Sequence, residues 1–184
     1  MIAGIVASKN SGGAGPPPAL PTTIGEPFGG GYYIGDITVA DGGADDGTYA
    51  VIMGGPGSQA PTTLSWKNPR SDNPGTYSDT NGRANTLAMQ ADDPVIHYAG
   101  IYCLNYDGGG YDDWYLAAKG ELNLAWTNRA GLSALAVSAG YYWSSTEFSA
   151  DLVWIQDLST GQQSLDRKDR LYRVRPVRRL LRTP

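Results

Sequence analysis

The chain has little with which to do redox or metal chemistry. Cys103 is its only cysteine and His97 its only histidine. One thiol cannot form a disulfide within the chain, nor can it build a cysteine-based zinc site. Charged residues make up only 17% of the chain. Long apolar runs are missing too. The run near the start, Ile2 to Ala7, contains Gly4 and has no cationic residue before it. That is too short for a secretory signal or a membrane span, so neither a signal peptide nor membrane insertion is expected. Catalytic pairings are equally scarce. Ser144 and Ser145 lie near Glu147, but His97 is far away in sequence and no nucleophile-elbow glycines surround them. The run Asp41-Gly42-Gly43-Ala44-Asp45-Asp46-Gly47 lacks the spaced oxygen ligands and closing glutamate of a calcium loop, and reads as a hairpin connection with solvated carboxylates. A non-enzymatic protein without cofactor or metal is expected.

What is present is glycine, tyrosine and tryptophan, at 25, 12 and 5 residues. That suits a loop-rich fold whose core is built from aromatics. At 184 residues the chain can hold one domain of about 150 residues plus an arm. Its net charge of −4 hides an asymmetry: residues 1–166 carry 6 basic and 17 acidic side chains, residues 167–184 carry 8 and 1. A basic end raises the question of nucleic acid. Yet Tyr172, Val174 and Pro176 alternate with Arg173 and Arg175, as in a half-buried strand. The arginines are therefore expected to pair with carboxylates of the protein or of a neighbouring subunit, not with nucleic acid.

Residues 1–31 form a proline- and glycine-rich segment with almost no charge. Such a segment has few contacts of its own and is expected to be an extended arm. Pro16, Pro17 and Pro18 make it stiff, so it can enter a groove with little entropy left to lose. With Pro21, Pro27 and Phe28 they are the expected docking residues, laid across a neighbouring subunit; the alternative is that the segment wraps its own domain. The domain is expected to span residues 32–184. Strands are expected at 32–37 and 48–53, followed by an irregular connection over 54–77 anchored by Leu64, Ser65 and Trp66. Helices are expected at 81–91, with Ala84, Leu87, Ala88 and Ala91 facing inward, and at 94–105, with Ile96, Ala99, Gly100 and Cys103 on one stripe. Cys103 is then a small buried hydrophobe. Further strands are expected at 141–145, 152–158 and 171–177, with a segment at 162–165 folding back.

The densest stretch runs from Gly108 to Trp126. Three glycines precede Asp112 and Asp113, then the strand-like Trp114-Tyr115-Leu116, then a helix with Leu122, Ala125 and Trp126 on one face. Trp114 and Trp126 are expected to share a core. This stretch resembles the signature of the domain family named after the C-terminal domain of the Lcl collagen-like adhesin, where an Asp-Trp-Tyr-Leu strand leads into a Lys-x-Glu-Leu helix. Residues 79–86 (DTNGRANT), 142–147 (YWSSTE) and 173–179 (RVRPVRR) resemble the family's first helix start, central strand and closing strand, in that order. Where the family has Pro-Ser this chain has Ala117-Ala118, so the serine N-cap is missing.

The resemblance implies an α+β fold, C-type-lectin-like, with short antiparallel strands, two to three helices and long loops. It also implies bacterial surface proteins or tailed-phage virion proteins as the setting. The fold is related to the formylglycine-generating enzymes, whose chemistry depends on cysteines, and a lone Cys103 does not support that activity. The lectin calcium-and-sugar loop, Glu-Pro-Asn or Gln-Pro-Asp, does not occur. The expected role is a virion structural protein mounted on tail or capsid through its arm, assembled in the bacterial cytoplasm and released by lysis. It would bind a host-surface glycan or protein, or decorate the capsid, as a homo-oligomer, with a trimer implied by family analogy. The alternative is a bacterial cell-surface glycan-binding adhesin. Aromatic and small polar residues on loops make adaptable binding surfaces. Trp66, Tyr77, Tyr106 and Tyr111, with Asp107, Asp112 and Glu147 as polar partners, are the candidate ligand-binding residues.

Overall fold

The β-rich start of the domain follows from alternation and turn chemistry. In the computed structural model, which describes residues 19–182, β1 (Pro27–Phe28) turns through Gly29 and Gly30 into β2 (Gly31–Val39). A hairpin then leads to β3 (Gly47–Gly54), with Asp46 accepting the Gly42 and Gly43 amides to close the loop. Next come α1 (Gly82–Asp92), α2 (Tyr98–Leu104), β4 (Tyr115–Leu116) and α3 (Lys119–Thr127). The chain ends with β5 (Tyr141–Glu147), β6 (Leu152–Asp157), β7 (Gln163–Arg167) and β8 (Pro176–Leu181). Two antiparallel sheets result, ordered β1-β2-β3-β8-β4 and β5-β6-β7. With three helices between them, the fold is α+β. Among the described residues no helix is long and apolar enough to cross a membrane.

The core is divided. Ile34, Val51, Met53, Tyr115, Leu122 and Leu135 pack in one cluster, and Trp66, Met89, Cys103, Leu116 and Trp143 in a second. Trp114 belongs to a third, with Tyr33, Ala50 and Ile52. Trp126 instead packs at the margin of the first. The expectation that Trp114 and Trp126 share a core is thus corrected: the two indoles lie either side of the short β4 and reach different faces. Cys103 is buried in an apolar cluster, and burial pushes its thiol well above the ordinary value.

Three further expectations are corrected. The inner face of α1 is not Ala84, Leu87, Ala88 and Ala91 but Gly82, Asn85, Thr86 and Met89, with Leu87 left exposed. Polar residues turn inward because buried backbone must be satisfied there: Asn85 Nδ2 donates to the Ser78 carbonyl of the preceding loop, and Thr86 Oγ1 accepts the Leu116 amide of β4. The second helix begins at Tyr98 rather than near Pro94. The closing strand begins five residues later than its alternation suggested and ends four later, and residues 172–173 form only isolated bridges to Leu64 and Tyr142.

The arm expectation divides at the edge of the described residues. Pro16, Pro17 and Pro18 lie outside them. Pro21 is buried against this same domain, its carbonyl accepting Arg182 Nη2 at 2.6 Å. Pro27 and Phe28 form β1, the Gly25 amide donates to the Tyr33 carbonyl of β2, and the Tyr33 amide donates to the Glu26 carbonyl. The sheet therefore begins before residue 32, and these three residues brace their own domain.

Candidate functional site

The seven candidate ligand-binding residues separate into two places. Trp66 and Glu147 are interior, with Tyr77 at the rim above them. Trp66 is fully buried, donates Nε1–H to the Ser144 carbonyl at 2.9 Å and meets His97 edge-on. Glu147 forms an ion pair with Lys168 at 2.8 Å, both side chains without solvent exposure. It also accepts the Asn73 amide and the Thr76 hydroxyl, while Lys168 donates to the Ser71 carbonyl. Burial raises the Glu147 pKa and lowers that of Lys168, and each partner opposes the other's shift. Tyr77 is half exposed, donating its hydroxyl to Asp72 at 2.7 Å, and this bond pushes its pKa up to about 12. Trp66 and Glu147 are thus struts beneath the long 54–77 connection, out of reach of any ligand. Nearby, Asp92 bridges Lys67 at 2.8 Å and His97 at 2.9 Å. The histidine is buried, and desolvation lowers its pKa.

Tyr106, Asp107, Tyr111 and Asp112 gather on another surface, around the Gly108–Gly110 turn. Here the glycines matter at two points. Gly30 (φ +83°) and Gly109 (φ +70°) meet backbone to backbone, and a Cβ on Gly109 would lie 2.5 Å from the Gly30 Cα. This contact joins the β1–β2 turn to the 106–111 loop. Trp114 Nε1–H donates to the Gly108 carbonyl, and Tyr106 packs edge-on against Trp114 at 5.1 Å. An open groove of about 510 Å³ is lined by Pro27, Phe28, Tyr32, Pro56, Tyr106 and the glycines at 29–31, 55 and 57, so of the four candidate residues on this surface only Tyr106 lines it, and Asp107, Tyr111 and Asp112 do not. None of the residues that line it is charged.

Arg178 holds one end of this arrangement. Its Nε and Nη2 bind both oxygens of Asp113 at 2.6 and 2.8 Å, Nη1 donates to the Gly29 carbonyl, and the guanidinium stacks under Tyr111 at 3.7 Å. Such a bidentate, stacked arginine fixes geometry as well as adding energy. Asp113 is thereby committed to structure, while Asp112 and Asp107 remain exposed. Neither aspartate lies in β4. The expectation that the basic end pairs with carboxylates of the protein or of a neighbouring subunit is met within the chain by Arg178 with Asp113, Arg179 with Asp45 and Arg182 with Asp36, while Arg173 and Arg175, from whose alternation it was drawn, have no carboxylate within ion-pair distance among the described residues.

Sequence reading placed Tyr106 at a site but missed Tyr32, Pro56 and the glycine floor. The groove's two halves are some 75 residues apart in sequence, and no local period connects them. The one available signal was paired glycine clusters, at 29–31 and 108–110, since two such clusters allow two backbones to touch.

No protein-family model matches this chain, and no curated protein matches it either. Among solved structures the chain is similar to a fimbrial protein from Bacteroides ovatus, with a TM-score of 0.49 and 17% identity over 70% of this chain. The chain spans 35% of that protein's length. A likeness this distant carries no functional argument.

Proposed function

We propose that this chain is a non-enzymatic, C-type-lectin-like recognition domain, displayed on a bacteriophage virion, that contacts the host surface through the groove between the 27–32 and 106–111 loops. The observation that carries the reading is the groove itself: open, uncharged, and walled by aromatic rings over bare peptide backbone. Rings that are rigid and amphipathic give contact area at low entropic cost, and exposed amides and carbonyls give adaptable hydrogen bonds. The side chains that catalysis would call on are otherwise engaged. Glu147 is locked to Lys168, His97 to Asp92, and Cys103 is sealed in the core.

The virion setting rests on the family resemblance of residues 79–86, 108–126, 142–147 and 173–179. It does not rest on the arm, because Pro21, Pro27 and Phe28 belong to the domain. Trimeric display is part of the same proposal. The test uses the full chain, fluorescently labelled, on host cells. Tyr106→Ala and Tyr32→Ala each weaken cell binding at least tenfold, read at a temperature where circular dichroism shows both variants folded, and antibodies against the domain label purified phage particles. Equal binding by wild type and both variants removes the groove from the reading. Labelling of cell envelopes but not particles moves the domain to a bacterial surface.

A further inference from the structure

Five cationic side chains are buried among the described residues: Lys67, Lys168, Arg175, Arg178 and Arg179. Four have a carboxylate within ion-pair distance: Asp92, Glu147, Asp113 and Asp45 respectively. Arg175, only 3% exposed, has none among the described residues. The remaining stretches cannot supply such a side chain, because residues 1–18 and 183–184 contain no aspartate or glutamate. Arg175 Nη1 donates to the Leu135 carbonyl at 2.7 Å. Its Nε is buried with no acceptor at all. The titratable neighbours acting on it are the phenols of Tyr142 and Tyr106, neutral at pH 7. Arginine cannot escape this situation by losing its proton. A buried guanidinium left with one carbonyl is strongly unfavourable, which is why interior charges are paired or bind ions.

We propose that Arg175 is the seat of a bound anion, a carboxylate or an inorganic ion of similar size, received on the Nε edge of the guanidinium. The site lies beside the turn carrying Leu135, whose carbonyl holds Nη1 of the same guanidinium. Ala136, immediately after Leu135, has a left-handed backbone with φ +45°, so the turn that presents the Leu135 carbonyl is itself held in an uncommon conformation. Two sources share this chemistry. A free inorganic anion would act as a structural counter-ion. A carboxylate carried by a larger ligand is the other source. The anion site stands independently of the proposed host-surface role, because it follows from the missing counter-charge alone.

The test uses the full chain in a buffer whose own anion is bulky. Sodium acetate and sodium bromide are titrated separately at constant ionic strength while the unfolding temperature is read. In the wild type the midpoint rises and saturates, as expected for a ligand that binds only the folded state. Arg175→Met abolishes the dependence, and Arg175→Lys, which keeps charge but loses the fork, weakens the apparent affinity about tenfold. A response to acetate alone assigns the site to carboxylates, and a response to both assigns it to small anions in general. Crystals grown in bromide then show an anomalous peak beside Nε. Should Arg175→Met fail to fold, the bromide peak in the wild type decides by itself. A wild-type midpoint indifferent to both salts, an unchanged response in Arg175→Met, or, where bromide raises the midpoint, no bromide peak at Arg175 overturns the assignment.

Discussion

At the scale of single residues, burial decides what the ionisable groups do. Glu147 and Lys168 have no solvent to stabilise their charges, so each depends on the other. Glu147→Ala leaves an unpaired buried ammonium and is expected to cost about 3–5 kcal/mol in urea unfolding. The double variant Glu147→Leu/Lys168→Met should recover most of that loss, and a double variant no more stable than the single one refutes the account. Glu121 gives a pH signature. It is fully buried, accepts the Tyr115 hydroxyl and the Ala118 amide, and desolvation raises its pKa from 4.5 to about 7. A carboxyl raised in this way keeps its proton in the folded protein where the unfolded chain has lost it. Its contribution to stability is therefore complete below about pH 4.5 and disappears as the pH rises to about 7. Relative to Glu121→Gln, the wild type should lose stability over that window, by at most on the order of 3 kcal/mol. Parallel stability–pH curves for the two proteins would count against it.

At the scale of elements, helix α3 shows a start assembled with one part missing. Ala118 has no side-chain acceptor for the first turn, yet Glu121 Oε2 still accepts the Ala118 amide at 2.7 Å, which is half of a capping box. Ala118→Ser supplies the other half and should stabilise the protein by about 1 kcal/mol. A loss of stability instead would mean that the sealed surroundings of residue 118 reject the hydroxyl. The same segment shows what was legible locally. Asn81 was readable as a helix start and does cap α1, accepting the Ala84 amide at 3.0 Å. The inward face of α1 was not readable, because Asn85 and Thr86 point inward to satisfy buried backbone of the preceding loop and of β4. Apolar periodicity locates a helix but misreads its face when the neighbour is backbone rather than side chains.

At the scale of the whole molecule, the segment that looked detached is part of the sheet. Ile24 packs against two clusters, Phe28 against one, and Pro21 accepts Arg182. A chain beginning at Tyr32 should therefore unfold at lower urea than one beginning at Ala19, by about 2–5 kcal/mol, the range for losing one or two buried apolar side chains. Equal midpoints would restore the reading of residues 19–31 as a tether. The groove depends on the same region, since the β1–β2 turn forms one of its walls. Gly109→Ala should separate the two loops and reduce cell binding as strongly as Tyr106→Ala does.

Composition and local order were enough to place the hairpin at 32–53 and the first helix, to build the core from aromatics, to bury Cys103, and to send Arg178, Arg179 and Arg182 to carboxylates. Those properties depend on neighbours within a few residues, or on total charge, and a chain carries both in plain view. The tertiary structure alone decided that Trp66 and Glu147 are struts, that Pro27 and Phe28 brace a sheet, and that Tyr32 and Tyr106 face one groove. It also decided that Arg175 lies buried without a counter-charge. Each of these turns on which distant segments meet, and burial, unlike residue type, is a property of the meeting.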